Sequence, residues 1–139
     1  LAEHIAKLGK MIAFHIGPDA YERTHPYRAA HIARLLPETT ILMVHMGMTD
    51  VEMTRSVIDV AKQCPNMLLV GSATNDSFVL QAIKELGSKR VSFGTDRPFR
   101  KMAVIKSMYE NGLEGEITES EMADVMAGNA LRHFGLSAD

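Results

Sequence analysis

The 139-residue chain has one cysteine, no tryptophan and no dominant charge of either sign. A lone Cys64 excludes an internal disulfide and any zinc knuckle built from several cysteines, and it suits a reducing, cytoplasmic setting. Fifteen Lys and Arg stand against seventeen Asp and Glu, a formal net charge of -2. Such a balance offers no clustered positive surface for nucleic acid and no electrostatic anchor for a membrane. No stretch approaches the ~20 apolar residues of a transmembrane helix, and no signal-peptide pattern is visible at the start. The first residue is Leu1 rather than methionine, as expected of a processed or partial product. What is present is a hydrophobic content of 46%, ordinary for a soluble domain and enough for one real core over residues 1–139.

Short apolar runs alternate with helical patterns. Leu1, Ile5 and Leu8 have helical spacing, with Gly9 placed as a C-terminal cap. Met11 to Ile16 is a near-continuous apolar run broken only by His15 and stopped by Gly17-Pro18, which reads as a strand buried on both faces. After a polar loop, Pro26 opens a helix with Ala29, Ile32, Ala33 and Leu36 on one side. Ile41 to Gly47 repeats the strand design, again with a histidine, His45, two residues before a glycine. Thr49 to Glu52 matches a capping box for the helix carrying Met53, Val57, Val60, Ala61 and Cys64. Met67 to Gly71 is a third strand, and Asn75 caps a helix that stops at Gly87.

The fourth run, Val91 to Phe99, ends in Asp96 and Pro98. Pro98 is expected to start a helix ended by Asn111-Gly112. A second capping box, Thr118 to Glu121, opens the closing helices, which end at Gly135. Four strand-plus-helix units of roughly 25 to 30 residues match the ~31 per unit of an eight-unit barrel. The expected class is therefore α/β, a parallel (β/α)4 half of a TIM-like (β/α)8 barrel with C-terminal helices. The competing architecture, a small doubly wound sheet, lacks a Gly-rich phosphate loop after its first strand.

Three strands thus end in His15, His45 and Asp96. A carboxylate at the carboxyl end of a buried parallel strand lies on the functional face of such a fold. Side chains alternate along a strand. If all three point inward, Ala13 and Met11 line the interior below His15, Met43 and Ile41 below His45, and Gly94 and Ser92 below Asp96. Two imidazoles and a carboxylate form a donor set for zinc or iron(II) with positions left open. A bound ion brings the pKa of its water towards ~7, and a nearby carboxylate can take and return that proton. The blander readings stand beside this one. A single strand-end histidine is most often a satisfied structural residue, and Asp96 could simply cap the helix near Pro98. His4 and His133 fall on helices and read as surface or packing residues. His25, in the loop after the His15 strand, could touch substrate, and Arg97 could bind an anionic group or serve as a surface ion-pair partner.

Phe14-His15-Ile16-Gly17, Val44-His45-Met46-Gly47, Phe93-Gly94-Thr95-Asp96-Arg97-Pro98-Phe99 and Gly128-Asn129-Ala130-Leu131-Arg132-His133-Phe134-Gly135-Leu136 together resemble the amidohydrolase superfamily. The nearest branch is the "amidohydrolase 2" group of metal-dependent hydrolases and decarboxylases related to aminocarboxymuconate semialdehyde decarboxylase. The resemblance implies strands five to eight of a barrel. His15 would be the fifth-strand metal ligand, and Asp96 the eighth-strand ligand and proton acceptor. His45 would be a sixth-strand ligand or a polariser of substrate. It further implies a divalent metal, above all zinc, and a small-molecule substrate with an amide, ester or lactone-type bond. Non-oxidative decarboxylation is the near alternative, and a non-catalytic half-barrel module the distant one. The family's His-x-His pair of the first strand has no counterpart in this sequence. The chain is therefore expected to be a fragment, or a half-barrel completed by a second copy or a complementary chain, with weakened metal affinity.

Overall fold

The computed structural model describes residues 1–137. The elements are α1 (Ala2–Lys7), β1 (Ile12–His15), α2 (Tyr21–Thr24), α3 (Pro26–Leu35), β2 (Ile41–Val44), α4 (Val51–Gln63), β3 (Met67–Val70), α5 (Asp76–Leu86), β4 (Val91–Ser92), α6 (Met102–Leu113), α7 (Glu119–Ala123) and α8 (Asn129–Phe134). All four strands are parallel in one sheet, ordered β1-β2-β3-β4. Strand order follows chain order with a helix in each crossover, the arrangement of a barrel segment. A doubly wound sheet would instead reverse its order at a switch point.

One sheet face is the core. Ile12, Ile41, Met43, Met67, Leu69 and Val91 point to it and pack on α3 to α6. Alanines at 29, 30 and 33 let α3 lie close against the strands. On the other face, Cα pairing sets His15 beside Val44, Val44 beside Val70, and Val70 beside Ser92. Met43 and Ile41, expected beneath His45 in the interior, therefore lie on the helix side. The alternation fails at one residue. β2 stops at Val44, and His45 has a φ of 75°, outside the extended region that alternation assumes.

The lower ends of the strands are fastened by side chains that satisfy orphan carbonyls at helix ends and turns. Asn66 Nδ2 lies 2.9–3.1 Å from the carbonyls of Ala33, Leu36 and Thr39. The Arg90 guanidinium donates to Ala61, Cys64 and Met67. Buried Asn129 donates to the carbonyls of Ser88 and Val91 at 2.8 and 2.7 Å. This last bond helps seal the outer edge of β4, where the Phe93 amide also bonds to the Val125 carbonyl at 2.8 Å. The edge of β1 differs. Ile12 and Ile16 donate toward β2, so the intervening amides of Ala13 and His15 face away from it.

Three boundaries depart from expectation. Asp50 caps α4, its carboxylate accepting from the Met53 amide at 2.8 Å, one residue beyond Thr49. An anion at a helix N-terminus interacts well with the exposed amides. Helix α6 starts at Met102 rather than at Pro98, because the Phe99 amide turns back to the Asp96 carbonyl at 2.9 Å and holds the segment as a turn. It also runs through Asn111-Gly112. A Cβ on Gly112 would sit 2.4 Å from an Asp76 carboxylate oxygen, so the glycine serves close approach rather than termination. The Thr118–Glu121 capping box forms as expected.

Tyr109 anchors α6 to the sheet. Fully buried, it donates to the Gly71 carbonyl at 2.7 Å and meets Phe93 edge to face. Burial pushes its phenol well above the usual value. The other two tyrosines, Tyr21 and Tyr27, are exposed. In an absorbance titration, the Tyr109 phenol is expected to ionise only as the fold opens, at a pH above the ordinary phenol value of ~10. With its folded pKa raised, Tyr109 contributes stability below the unfolded value of ~10, and that contribution is lost as pH climbs towards the folded value. Three phenols ionising together, without loss of circular dichroism, would contradict this.

Candidate functional site

His15 closes β1, and the chain turns at once through a short 3-10 segment, Pro18–Ala20. The Thr24 hydroxyl ties this loop by donating to the carbonyls of Gly17 and Ala20 at 2.5 and 3.0 Å. The turn brings Asp19 back over the strand end, with its carboxylate 2.8 Å from His15 Nε2. This bond holds the Asp19 carboxyl below the usual carboxylate range. A carboxylate can only accept, so Nε2 carries a hydrogen, and in the neutral ring Nδ1 holds the lone pair. Gly17 leaves room for the side chains gathered over the strand end. A Cβ there would lie 2.6 Å from Met48 Sδ and 2.8 Å from the Asp19 oxygen.

His45 occupies the centre. The backbone stays left-handed from His45 to Met48, with φ values of 75, 53, 94 and 60°. This knot turns the imidazole from the helix side to the strand ends. The side chain is nearly buried, and its ring meets the His15 ring edge-on, centroids 4.9 Å apart. Nδ1 lies 2.8 Å from Ser72 Oγ and 3.3 Å from the Ser72 carbonyl oxygen. On the opposite side, Nε2 is 3.9 Å from an Asp96 oxygen. Thr74 joins two of the loops by donating to the Met48 carbonyl at 2.6 Å.

Asp96 follows β4 with a φ of 61°. It reaches His45 because Gly94 lets the chain pass close to β3, where a Cβ would meet Val70 Cγ1 at 2.7 Å and Ser72 Cβ at 3.1 Å. Ser92 lies on the expected inner face beside Val70, but the strand ends there and Asp96, like His45, has left the extended region. Among the described residues, the non-glycine positions with positive φ are His45, Met46, Met48, Ala73 and Asp96, all in loops after β2, β3 and β4. Left-handed backbone costs roughly 1–2 kcal/mol per such residue. Its concentration at one end of the sheet is the pattern of a functional face.

The three side chains named from sequence thus come together as two pairs sharing His45. Among the described residues, no three His, Cys, Asp or Glu side chains are already closed on a single metal position. As donor types they suit a divalent ion, and one pair is spaced for it. They are two imidazoles and one carboxylate. The 3.9 Å between His45 Nε2 and Asp96 is too long for a hydrogen bond yet within reach of two bonds of ~2.0–2.2 Å to one ion.

The remaining candidates lie outside this group. His25 caps α3, its Nδ1 accepting from the Tyr27 amide at 3.5 Å, and is flanked by the rings of Tyr21 and Tyr27. It shares with His15 a cleft of about 620 Å³ along the β1 edge. That cleft is lined largely by helix-side residues such as Phe14, Ile16, Ala29 and Ile32, so it adjoins the strand-end site rather than containing it. Arg97 is exposed in the turn after Asp96. Asp19 and Ser72 were not singled out by sequence reasoning. The available signals were a carboxylate four residues after His15 and a hydroxyl just past the third strand, the position that carries a histidine or aspartate elsewhere.

The model of the amidohydrolase family, Amidohydro_2, matches residues 1–136. Among solved structures, an uncharacterised TIM-barrel protein from Bordetella bronchiseptica superposes with a TM-score of 0.78 at 21% identity, over 96% of this chain and 48% of its own. An amidohydrolase from Burkholderia multivorans with bound zinc gives 0.75 at 12% identity, over 98% and 56%. A dihydroxybenzoic acid decarboxylase from a Polaromonas species, with bound manganese and the inhibitor 2-nitroresorcinol, gives 0.70 at 20% identity, over 96% and 52%. The chain spans about half the length of each. Four parallel strands with their helices therefore correspond to half of a TIM barrel. No curated protein matches.

Gly94→Ala tests how tightly β4 must pass β3. The added methyl should cost about 1–3 kcal/mol through overpacking, read by urea denaturation. Wild-type stability in the variant would show that Val70 and Ser72 yield freely.

Proposed function

The chain belongs to the amidohydrolase family, and from that premise we propose that its strand ends form the catalytic face of a metal-dependent hydrolase of amide, ester or lactone-type bonds. The observation carrying this reading is the gathering of His15, His45 and Asp96 at the carboxyl ends of β1, β2 and β4, with His45 in contact range of both others. His15 and His45 are the nitrogen donors and Asp96 the oxygen donor to a divalent ion, with zinc suited to that mixed set. Such an ion, when bound, polarises the scissile carbonyl and acidifies a water.

The chain's own groups do the rest. The Asp96 carboxylate takes the proton of the attacking water and returns it to the leaving amine or alcohol. His45, buried and held on its Nδ1 side by Ser72, keeps Nε2 facing Asp96, where the ion would sit. Arg97 is exposed in the turn directly after Asp96, and His25 shares a cleft with His15. Both are assigned to substrate binding in this proposal. A second reading, non-oxidative decarboxylation, is favoured by the match to the Polaromonas decarboxylase. There Asp96 would deliver a proton to the carbon that loses carbon dioxide. The open β1 edge would pair with a further parallel strand, from a second copy or a complementary half-barrel.

Calorimetric titration with zinc and with manganese, beside elemental analysis of protein purified without added metal, tests the site. Asp96→Asn should weaken metal binding about tenfold or more, since loss of a mere supporting group already costs 10–100-fold. It should also abolish turnover across amides, esters, lactones and aromatic carboxylates, with circular dichroism unchanged. Wild-type protein that takes up neither ion, or an Asp96→Asn variant that binds as well, would overturn the proposal. The latter result would fit an inert α/β module.

A further inference from the structure

Ser72 holds two oxygens against one nitrogen. Its Oγ is 2.8 Å and its carbonyl oxygen 3.3 Å from His45 Nδ1, and the residue is 4% exposed. A carbonyl oxygen has no proton to give. If Nδ1 were bare, its lone pair would face the carbonyl lone pairs across a buried contact. With a hydrogen on Nδ1, both oxygens become acceptors of one shared donor. The ring edge on the far side then carries the bare nitrogen, Nε2, which faces Asp96 across the 3.9 Å gap. Asp96 alone would favour the opposite tautomer, with Nε2–H pointing at the carboxylate. At 3.9 Å that contact is not a hydrogen bond, whereas the Ser72 Oγ contact is within hydrogen-bonding range.

We propose that Ser72 is a positioning residue that locks His45 in the Nδ1–H tautomer and so leaves Nε2 as the lone-pair donor aimed at the Asp96 side. The residue is placed for this by its neighbours. It directly follows Gly71, whose carbonyl is bound by the buried Tyr109 hydroxyl, and it precedes Ala73, left-handed at a φ of 56°. Thr74 then anchors the loop to the Met48 carbonyl, within the same knot that carries His45. Gly94 abuts the Ser72 Cβ position, so the side chain is confined from the β4 side as well. The consequence for a metal rests on the function proposed above, while the tautomer itself does not.

The experiment uses 15N-histidine-labelled protein at about pH 8.5, above the ordinary imidazole pKa of ~6.5. Long-range proton–nitrogen correlation, assigned with His45→Gln, reports which ring nitrogen bears the hydrogen. His45 is expected as Nδ1–H in the wild type. Ser72→Ala loses the 2.8 Å hydroxyl contact but keeps the carbonyl, so the Nδ1–H preference should weaken, with Nε2–H appearing beside it; in Ser72→Thr, which keeps the hydroxyl, it should return. Where zinc binds the wild type, Ser72→Ala should weaken that binding by about tenfold and Ser72→Thr by much less. Wild-type His45 found as Nε2–H overturns the proposal, as does an Ala variant with an unchanged tautomer. A locked Nδ1–H form in protein that binds no zinc supports it while removing the metal-dependent reading. Circular dichroism of each variant excludes misfolding as the cause.

Discussion

At His45 the chain leaves β2 in a left-handed conformation and remains in it through Met48. Everything at the functional end depends on that departure. Had the strand continued as extended backbone, the imidazole would have followed Ile41 and Met43 into the layer between sheet and helices. An unpartnered polar ring would then be buried in an apolar core, at a cost of several kcal/mol. The left-handed knot instead swings the ring over the strand ends, where Ser72 satisfies one nitrogen and Asp96 faces the other. The strain avoids β-branched residues: His45 and Asp96 are types that more often take a positive φ, and Met46, Met48 and Ala73 are unbranched or small.

The two ends of the sheet are built on opposite plans. Below, Asn66, Arg90 and Asn129 each spread donors over two or three carbonyls, so turns that would otherwise fray are fastened to the strands. Above, the loops hold positive φ values, close glycines and side chains that meet in pairs. This division suits a parallel α/β fold, in which the lower face supplies stability and the upper face chemistry. The lateral edges differ too. β4 is sealed by Val125 and Asn129, whereas the amides of Ala13 and His15 on β1 point outward.

The parallel sheet was legible because four apolar runs recur at the spacing of strand-helix units, and because glycine and proline punctuate them. The gathering of His15, His45 and Asp96 could be anticipated from matching strand ends alone. Period-two alternation placed Ser92 correctly on the inner face beside Val70, although β4 ends there and Asp96 is itself left-handed. It failed for His45, since no local motif announces a left-handed turn at a histidine and a methionine. Pro98 misled for a related reason. Proline suits both the first turn of a helix and a tight loop, and the bond from the Phe99 amide back to Asp96 selects the loop. Gly112 looked like a helix stop because close packing against Asp76 is a tertiary fact. Asp19 and Ser72 escaped notice because their importance lies in what they touch, 2.8 Å away in each case.

The central claim is that three strand ends make one metal site, and anomalous diffraction from crystals grown with zinc tests it most directly. The account predicts one strong zinc peak within bonding distance, ~2.0–2.2 Å, of His45 Nε2 and an Asp96 oxygen, with His15 beside it and Ser72 still on His45 Nδ1. Zinc found elsewhere on the surface, with the space between His45 and Asp96 holding none, would contradict it.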